Sequence, residues 1–260
     1  MTSRSILITG AGSGLGRGLA IGLATNGHDV IVTDQFPERA AETLAMIAKS
    51  EQPASPLTCS AHGLDVTRAE SIEALLQELR GRRIDVLINN AGLQHVAPLE
   101  EFPQERWDLL IDVMLAGACR MTRVVLPLMR RNGFGRIINI GSIHSLVASS
   151  FKSAYVAAKH GLLGFSKVLA LETADVDITV NTICPSYIRT PLVEAQIEAQ
   201  SKAHGIPPQQ VIDQIMLKPM PKTRFIRVEE VTATIEFLSA ETARNITGQC
   251  IVIDGGWTIQ

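Results

Sequence analysis

Short apolar runs recur along the chain and alternate with longer stretches of helical periodicity almost to its end. The runs are Ser5–Thr9, Val30–Thr33, Leu57–Ala61, Val86–Asn89, Arg136–Ile140, Thr179–Cys184 and Cys250–Ile253. Continuous Ile, Val and Leu, rather than strict alternation, suits strands covered on both faces, which is the condition of a parallel sheet. Between them, Leu15–Thr25, Glu38–Lys49, Arg68–Arg80, Trp107–Arg131, Ser153–Thr173 and Glu229–Ala240 predict helices. Strand–helix–strand order, repeated, predicts a single α/β domain over residues 1–260. Its core is a doubly wound parallel sheet of seven strands with helices on both faces. From about 186 to 226 the rhythm breaks: no strand pattern appears, and prolines at 191, 207, 208, 219 and 221 punctuate two short polar helical patterns. A long excursion outside the sheet predicts a helical lid over a substrate site.

Composition narrows the class. With 46% hydrophobic and 19% charged residues the chain can bury a substantial core and is not intrinsically disordered. A net charge of −2 without a basic block, and only 4% aromatic residues, argue against a nucleic-acid partner. The longest charge-free stretch, Ile137 to Phe151, falls short of the roughly 20 apolar residues of a membrane span. The start, Met1 to Gly10, lacks a secretory pattern. Cys59, Cys119, Cys184 and Cys250 are scattered, with no Cys-x-x-Cys and no histidine at metal spacing. These features predict reduced thiols, metal-free chemistry and a cytoplasmic location.

The first strand runs into Thr9-Gly10-Ala11-Gly12-Ser13-Gly14-Leu15-Gly16 and then a helix, the order of a Rossmann-type dinucleotide turn. Such glycines let backbone approach a pyrophosphate, and the helix N-terminus supplies free N–H groups and partial positive charge. Thr9, Gly10, Ser13, Gly14, Leu15 and Gly16 are therefore cofactor candidates. Asp34 ends the second strand eighteen residues past Gly16, where an acid can accept from both ribose hydroxyls of NAD and repel the 2′-phosphate of NADP. Arg17, inside the helix, reads as a surface charge, so the expected cofactor is NAD.

Tyr155 and Lys159 stand four apart in a helical pattern and share one face. A phenol with a pKa near 10 is a poor acid or base at neutral pH, and a neighbouring ammonium can lower it. Ser142, just past the fifth strand, can hydrogen-bond a substrate oxygen. Together with Asn89-Asn90-Ala91-Gly92 and Pro185 to Thr190, these segments resemble the short-chain dehydrogenase/reductase family in order and spacing over nearly the whole chain.

The resemblance implies that Tyr155 exchanges a proton with the substrate oxygen as hydride moves to or from the nicotinamide. It implies that Lys159 holds the nicotinamide ribose and that Ser142 orients the carbonyl or hydroxyl. Asp65 and Val66 would flank the adenine, Asn90, Ala91 and Gly92 would line the cleft, and Pro185, Ile188 and Thr190 would fix the carboxamide. Two positions depart from the family pattern. Met114 stands where an asparagine usually anchors a water in the proton relay, and thioether sulfur cannot make that bond. Ser186 stands where glycine commonly follows the proline.

Polar residues converge on the same edge. Lys152 lies three before Tyr155, His144 two past Ser142, Gln94 just after Gly92, and Gln196 in the lid. A lysine, a histidine and two amides around a small pocket suit a carboxylate. The same residues resemble one branch of the family, the bacterial D-3-hydroxybutyrate dehydrogenases, through Gln94-His95, Ser142 to Ser149, Lys152 to Tyr155, Arg189 to Glu194 and Asp254 to Trp257. That resemblance adds Trp257 as an aromatic near the pocket. Tyr187 replaces a tryptophan common in the branch. The reading is therefore an NAD-linked dehydrogenase of a small-molecule carboxylate, (R)-3-hydroxybutyrate. The alternatives are another short-chain reductase of a 3-oxoacyl thioester or polyol, or a non-catalytic nucleotide-binding protein. Leu115, Val124, Val125, Leu162, Leu163 and Phe165 exceed one core-facing stripe, and the family resemblance implies a homotetramer.

Overall fold

The computed structural model describes residues 3–50 and 58–259. Seven strands form one parallel sheet in the order β3-β2-β1-β4-β5-β6-β7. They are β1 Ser5–Ile8, β2 Asp29–Asp34, β3 Ser60–Gly63, β4 Val86–Asn89, β5 Phe134–Ile140, β6 Asp177–Pro185 and β7 Cys250–Ile253. The expected topology stands, with one strand displaced. The third strand begins at Ser60, whereas the Leu57–Ala61 run predicted it earlier, and Leu57 lies outside the described residues. Its residues are polar because β3 is an edge strand. His62 bonds Glu78 and Ser60, and Arg82 also donates to Ser60.

The inner strands alternate between two buried layers. Ile6, Ile8, Val30, Val32, Val86 and Ile88 face one apolar cluster, with α1 (Gly14–Thr25), α2 (Pro37–Lys49) and α9 (Val228–Ser239). Leu7, Ile31, Leu87, Ile137 and Val180 face the other, with α3 (Ala69–Glu78), α5 (Gly117–Asn132) and α6 (Ser153–Glu172). The long helix expected at Trp107–Arg131 is split. α4 spans Gln104–Ile111, a π-turn covers Asp112–Ala116, and α5 follows. The Gly117 N–H bonds the Asp112 carbonyl across that wider turn; one extra residue is inserted there, a feature frequent at functional sites. The excursion after β6 folds as α7 (Pro191–His204), α8 (Pro208–Val211) and a second π-turn, Ile212–Met216. An isolated parallel bridge, Ile188 to Ile226, closes its base.

A buried hydrogen-bond row fixes α6 against the sheet. Asn89 donates to Asn139 (2.8 Å), Asn139 to Ser166 (2.8 Å), and Thr182 to Ser166 (2.8 Å), whose hydroxyl donates to the Leu162 carbonyl. Three strands and the helix are thereby held in one register. Val125, Leu162 and Leu163, expected as surplus apolar positions, are buried, with α5 packed on β4 and β5 and α6 packed on β6 and α4. The exposed apolar side chains of α6 are Val168 and Leu171. Among the described residues no helix is long and apolar enough to cross a membrane, and no cluster of metal-ligating side chains occurs.

His28 ties the sheet's lower edge to α9. The Arg4 N–H donates to its Nδ1 (3.1 Å), and its Nε2 faces Glu236 at 3.7 Å. Burial lowers its pKa below 6.5; Glu236 opposes that shift and Arg4 adds to it. The unfolded chain therefore binds the proton more readily than the folded one. This contribution to stability is complete above pH 6.5 and is lost as pH falls toward the lowered value. Thermal melts from pH 7.5 to 5 should show His28→Gln losing less Tm on acidification than the parent chain. Parallel losses would refute the assignment.

Candidate active site

The strand order reverses between β1 and β4, and there the carboxyl ends of β1, β4, β5 and β6 open a cleft of about 470 Å³, the position where open α/β sheets bind ligands. At its nucleotide end, Gly10 and Gly14 adopt positive φ (64° and 53°), a conformation that glycine takes without Cβ strain. A Cβ on Gly10 would stand 2.8 Å from the Ala91 Cα, and one on Gly16 would collide with the Gly10 carbonyl oxygen and the Asn90 amide. Asn90 locks the turn by donating to the carbonyls of Thr9 (2.9 Å) and Gly10 (3.0 Å). Thr9 does not line the cleft; its hydroxyl accepts from the Asn90 and Ala91 N–H groups (3.0 Å each) and braces the wall from behind.

Asp34 closes this end. It is buried, and its two oxygens accept from the Gly12 N–H and the Phe36 N–H at 3.0 Å each. Asp65 holds its own turn by accepting from Thr67, and Val66 lines the cleft beside it. Arg17 is turned away to Glu42 (3.0 Å), Thr43 and the Gly12 carbonyl, as its position in the helix predicts. Phe36 and Arg39 also line this end, with the Arg39 guanidinium 4.5 Å from the Phe36 ring centroid. Sequence reasoning missed both, although they follow Asp34 by two and five residues.

At the reaction end α6 presents Tyr155 and Lys159 to the cleft, and Ser142 approaches from the end of β5. Ser142 caps a short turn: its hydroxyl accepts from the His144 N–H (3.2 Å), and its own N–H donates to Ser145 (3.3 Å). The Lys159 ammonium donates to the Ile140 carbonyl (2.6 Å) and stands 5.6 Å from the Tyr155 ring centroid. Burial lowers the Lys159 pKa to about 8. Burial also raises the Tyr155 hydroxyl above its ordinary value, while its hydrogen bond with Ser142 pulls the other way. The sequence argument expected the ammonium to lower the phenol pKa. In this structure burial moves it up instead.

Met114 sits in the π-turn, buried against Leu110, Ala154, Ala158 and Tyr155. It brings no hydrogen-bond donor to the space beside Lys159. Ser186 has no left-handed backbone; its N–H bonds the Ile253 carbonyl (3.0 Å) and its hydroxyl reaches the Met220 sulfur (3.4 Å). The turn therefore has no need of glycine there.

The converging polar group is real in space. Gln94, His144, Lys152, Tyr187 and Gln196 all line the cleft with Ser142 and Tyr155. Lys152 is buried and its ammonium makes no hydrogen bond or ion pair among the described residues; the Tyr187 ring centroid is 5.7 Å from it. Burial lowers its pKa. The His144 pKa falls to about 4 through burial and the nearby Lys152, so its ring is neutral at pH 7. The His144 Nδ1 and the Gln196 Oε1 are buried without a partner among the described residues, a condition that a polar ligand relieves. Trp257 does not line the cleft; its ring stands behind Tyr187, 5.8 Å between centroids. Leu93, Ile143, Leu192 and Val193 complete an apolar wall that the sequence analysis missed.

Pro185, Ile188 and Thr190 line the junction of the two ends, and the Thr190 hydroxyl caps α7 by accepting from the Val193 N–H (3.4 Å). A cleft with a glycine cradle at one end and a Ser–Tyr–Lys group at the other fits a nicotinamide dinucleotide. The profile of the short chain dehydrogenase family matches residues 4–201, and the chain belongs to that family. It is thus an oxidoreductase using a nicotinamide cofactor. Among its relatives are a D-beta-hydroxybutyrate dehydrogenase of Cupriavidus necator, 42% identical over 262 residues covering 100% of both chains, and one of Rhizobium meliloti, 42% identical over 99% of this chain and 100% of that one. A solved actinorhodin polyketide ketoreductase with NADPH superposes with a TM-score of 0.91 at 31% identity, covering 98% of this chain and 97% of that one.

Proposed function

We propose that this single domain interconverts (R)-3-hydroxybutyrate and acetoacetate with NAD. The observation that carries the reading is the buried, unpaired Lys152 beside Ser142 and Tyr155 in the same cleft, a cation placed to hold a small carboxylate next to the reacting oxygen. The relatives' activity supports it. His144, neutral, and the amides of Gln94 and Gln196 shape the pocket by hydrogen bonds instead of charge.

The nicotinamide, when bound, supplies or accepts the hydride. Ser142 and Tyr155 hold the substrate oxygen between two hydroxyls. Tyr155, a phenol with a raised pKa, is protonated at neutral pH and gives its proton to the ketone oxygen during reduction; in the reverse direction it takes the proton from the alcohol. Lys159, titrating near 8, stands against the Tyr155 ring and is the residue that would hold the nicotinamide ribose. Oxidation is expected to speed up with pH and reduction to slow down. Trp257 supports the pocket through Tyr187.

Asp34 favours NAD, since a carboxylate at the end of β2 lining this end of the cleft would accept from ribose hydroxyls and repel a 2′-phosphate. Asp34→Asn removes the charge and keeps an acceptor for one of the two backbone N–H groups. The ratio of kcat/KM for NAD over NADP should fall by roughly 100-fold, the scale of a like-charge contact removed. An unchanged ratio would sink the assignment. The reaction itself is tested by absorbance at 340 nm with NAD and each enantiomer of 3-hydroxybutyrate. NADH formation selective for the (R)-enantiomer is expected, and none with either enantiomer would overturn the reading.

A further inference from the structure

Two cysteines meet directly beneath the Ser142 turn, and the reaction proposed above uses neither. Cys184 lies on β6 and Cys250 on the neighbouring edge strand β7, whose register sets Cys184 opposite Val252 and Thr182 opposite Cys250. Their side chains share one face of the sheet on a diagonal, and the Cys250 thiol points at the Cys184 sulfur with 3.2 Å between sulfurs. Both are free thiols, Cys184 fully buried and Cys250 partly exposed. The Cys184 sulfur forms the floor under Gly141: a Cβ there would meet it at 2.7 Å and the Ser145 hydroxyl at 2.9 Å. The Gly141 N–H bonds the Ile183 carbonyl (2.7 Å), so the residue before Ser142 is tied to the residue before Cys184.

The geometry points to Cys184 and Cys250 as an oxidation site, a dithiol that a hydroperoxide closes to a disulfide, slowing turnover in the adjoining cleft. The effect on turnover rests on the proposed reaction; the chemistry of the pair does not. Hydrogen bonds from Cys250 and Ser145 and from the Ser142 backbone, together with Lys159, hold the Cys184 thiol below its ordinary range against the opposing effect of burial. The hydrogen bond to Cys184, and then burial, push Cys250 up. When the pair loses a proton it is Cys184 that gives it up and Cys250 that keeps its own, the arrangement in which a thiolate reacts and a second thiol resolves.

Cys250 is the partly exposed member of the pair, and it is the side on which hydrogen peroxide, little larger than water, would approach. The Cys184 thiolate attacks one peroxide oxygen, the O–O bond breaks, and hydroxide leaves and is protonated to water, giving a Cys184 sulfenic acid. The Cys250 sulfur then attacks the sulfenic sulfur, and its proton leaves with the displaced hydroxide as a second water. Two thiols and one peroxide yield one disulfide and two waters. An S–S bond of about 2.05 Å requires the sulfurs to close by roughly 1 Å. That shift draws Cys184 away from Ser145 and Gly141 and disturbs the turn that aims Ser142. Thiols restore the dithiol by exchange.

The test uses the full chain carrying Cys59→Ser and Cys119→Ser, which leaves only this pair. After hydrogen peroxide, quenching with catalase and alkylation in denaturant, intact mass and peptide mapping should show a Cys184–Cys250 linkage and no free thiol. Turnover should fall at least 5-fold and recover with dithiothreitol. Adding Cys250→Ala should abolish both the linkage and the reversible loss. Two thiols still free after treatment, or oxidation without linkage, would overturn the site, and a linkage with undiminished turnover would overturn its effect. The mass readout does not depend on substrate, so a chain that links normally but never oxidises 3-hydroxybutyrate counts against the reaction alone.

Discussion

Tyr155→Phe should lower kcat by about 10³-fold, within the range of general acid–base contributions, while leaving NAD affinity within about two-fold. The substitution removes one hydroxyl and keeps the ring, which packs against the apolar group of Leu110, Met114, Ala154 and Ala158 and lies edge-on to His144 at 6.0 Å between centroids. Folding and the nucleotide end are therefore untouched. What is lost is the proton that must reach or leave the substrate oxygen in step with the hydride. Ser142 cannot replace it, because an aliphatic hydroxyl is a far weaker acid than a phenol. Steady-state rates at 340 nm and NAD titration by fluorescence check both halves. A kcat within ten-fold of the parent would mean that another group moves the proton.

Met114 bears on the same step. Its side chain is buried in an apolar cluster at the π-turn, so no side chain there supplies the polar contact that the family resemblance would lead one to expect. What the structure retains is the lysine itself, held by Ile140 and titrating near 8. That value places it in balance with solvent at the pH where the proton must be exchanged.

The parts of the fold readable from sequence are those where one physical demand dominates. β1, β2 and β4 must be apolar on both faces, so Ile6–Ile8, Val30–Val32 and Val86–Ile88 run unbroken. The turn at Gly10 and Gly16 must admit backbone closely, which few residue types allow. Tyr155 and Lys159 stand out by their helical spacing, and with Ser142 they become candidates through the family resemblance. β3 was misplaced because an edge strand can be polar, as Ser60 and His62 are. The π-turn at Asp112–Ala116 leaves no trace in an apolar pattern, since one extra residue merely shifts which positions face inward. Leu93, Ile143, Leu192 and Val193 were missed for the opposite reason: an apolar residue lining a cleft and one filling a core present the same letter. Trp257 lies one layer farther out than the sequence suggested, acting through Tyr187.

Lys152→Met should raise KM for 3-hydroxybutyrate by ~30- to 100-fold, the equivalent of a charge-assisted hydrogen bond of about 2–3 kcal/mol. Methionine has nearly the length of the lysine stem and is apolar, so the buried site beside Tyr187 stays filled and only the charge disappears. The ammonium has no carboxylate partner among the described residues, so its removal strands no buried anion, and the effect belongs to the ligand. Two further readings separate anion binding from general damage. A neutral ketone of similar size should be reduced with unchanged kcat/KM, because it never used the charge. In the parent chain, KM for the carboxylate should rise with pH, beginning below the ordinary lysine value of 10.5, because burial lowers the Lys152 pKa and binding requires the protonated form. In Lys152→Met that rise should vanish. Equal losses for the neutral and the charged substrate would show that Lys152 supports the shape of the site and does not bind the anion.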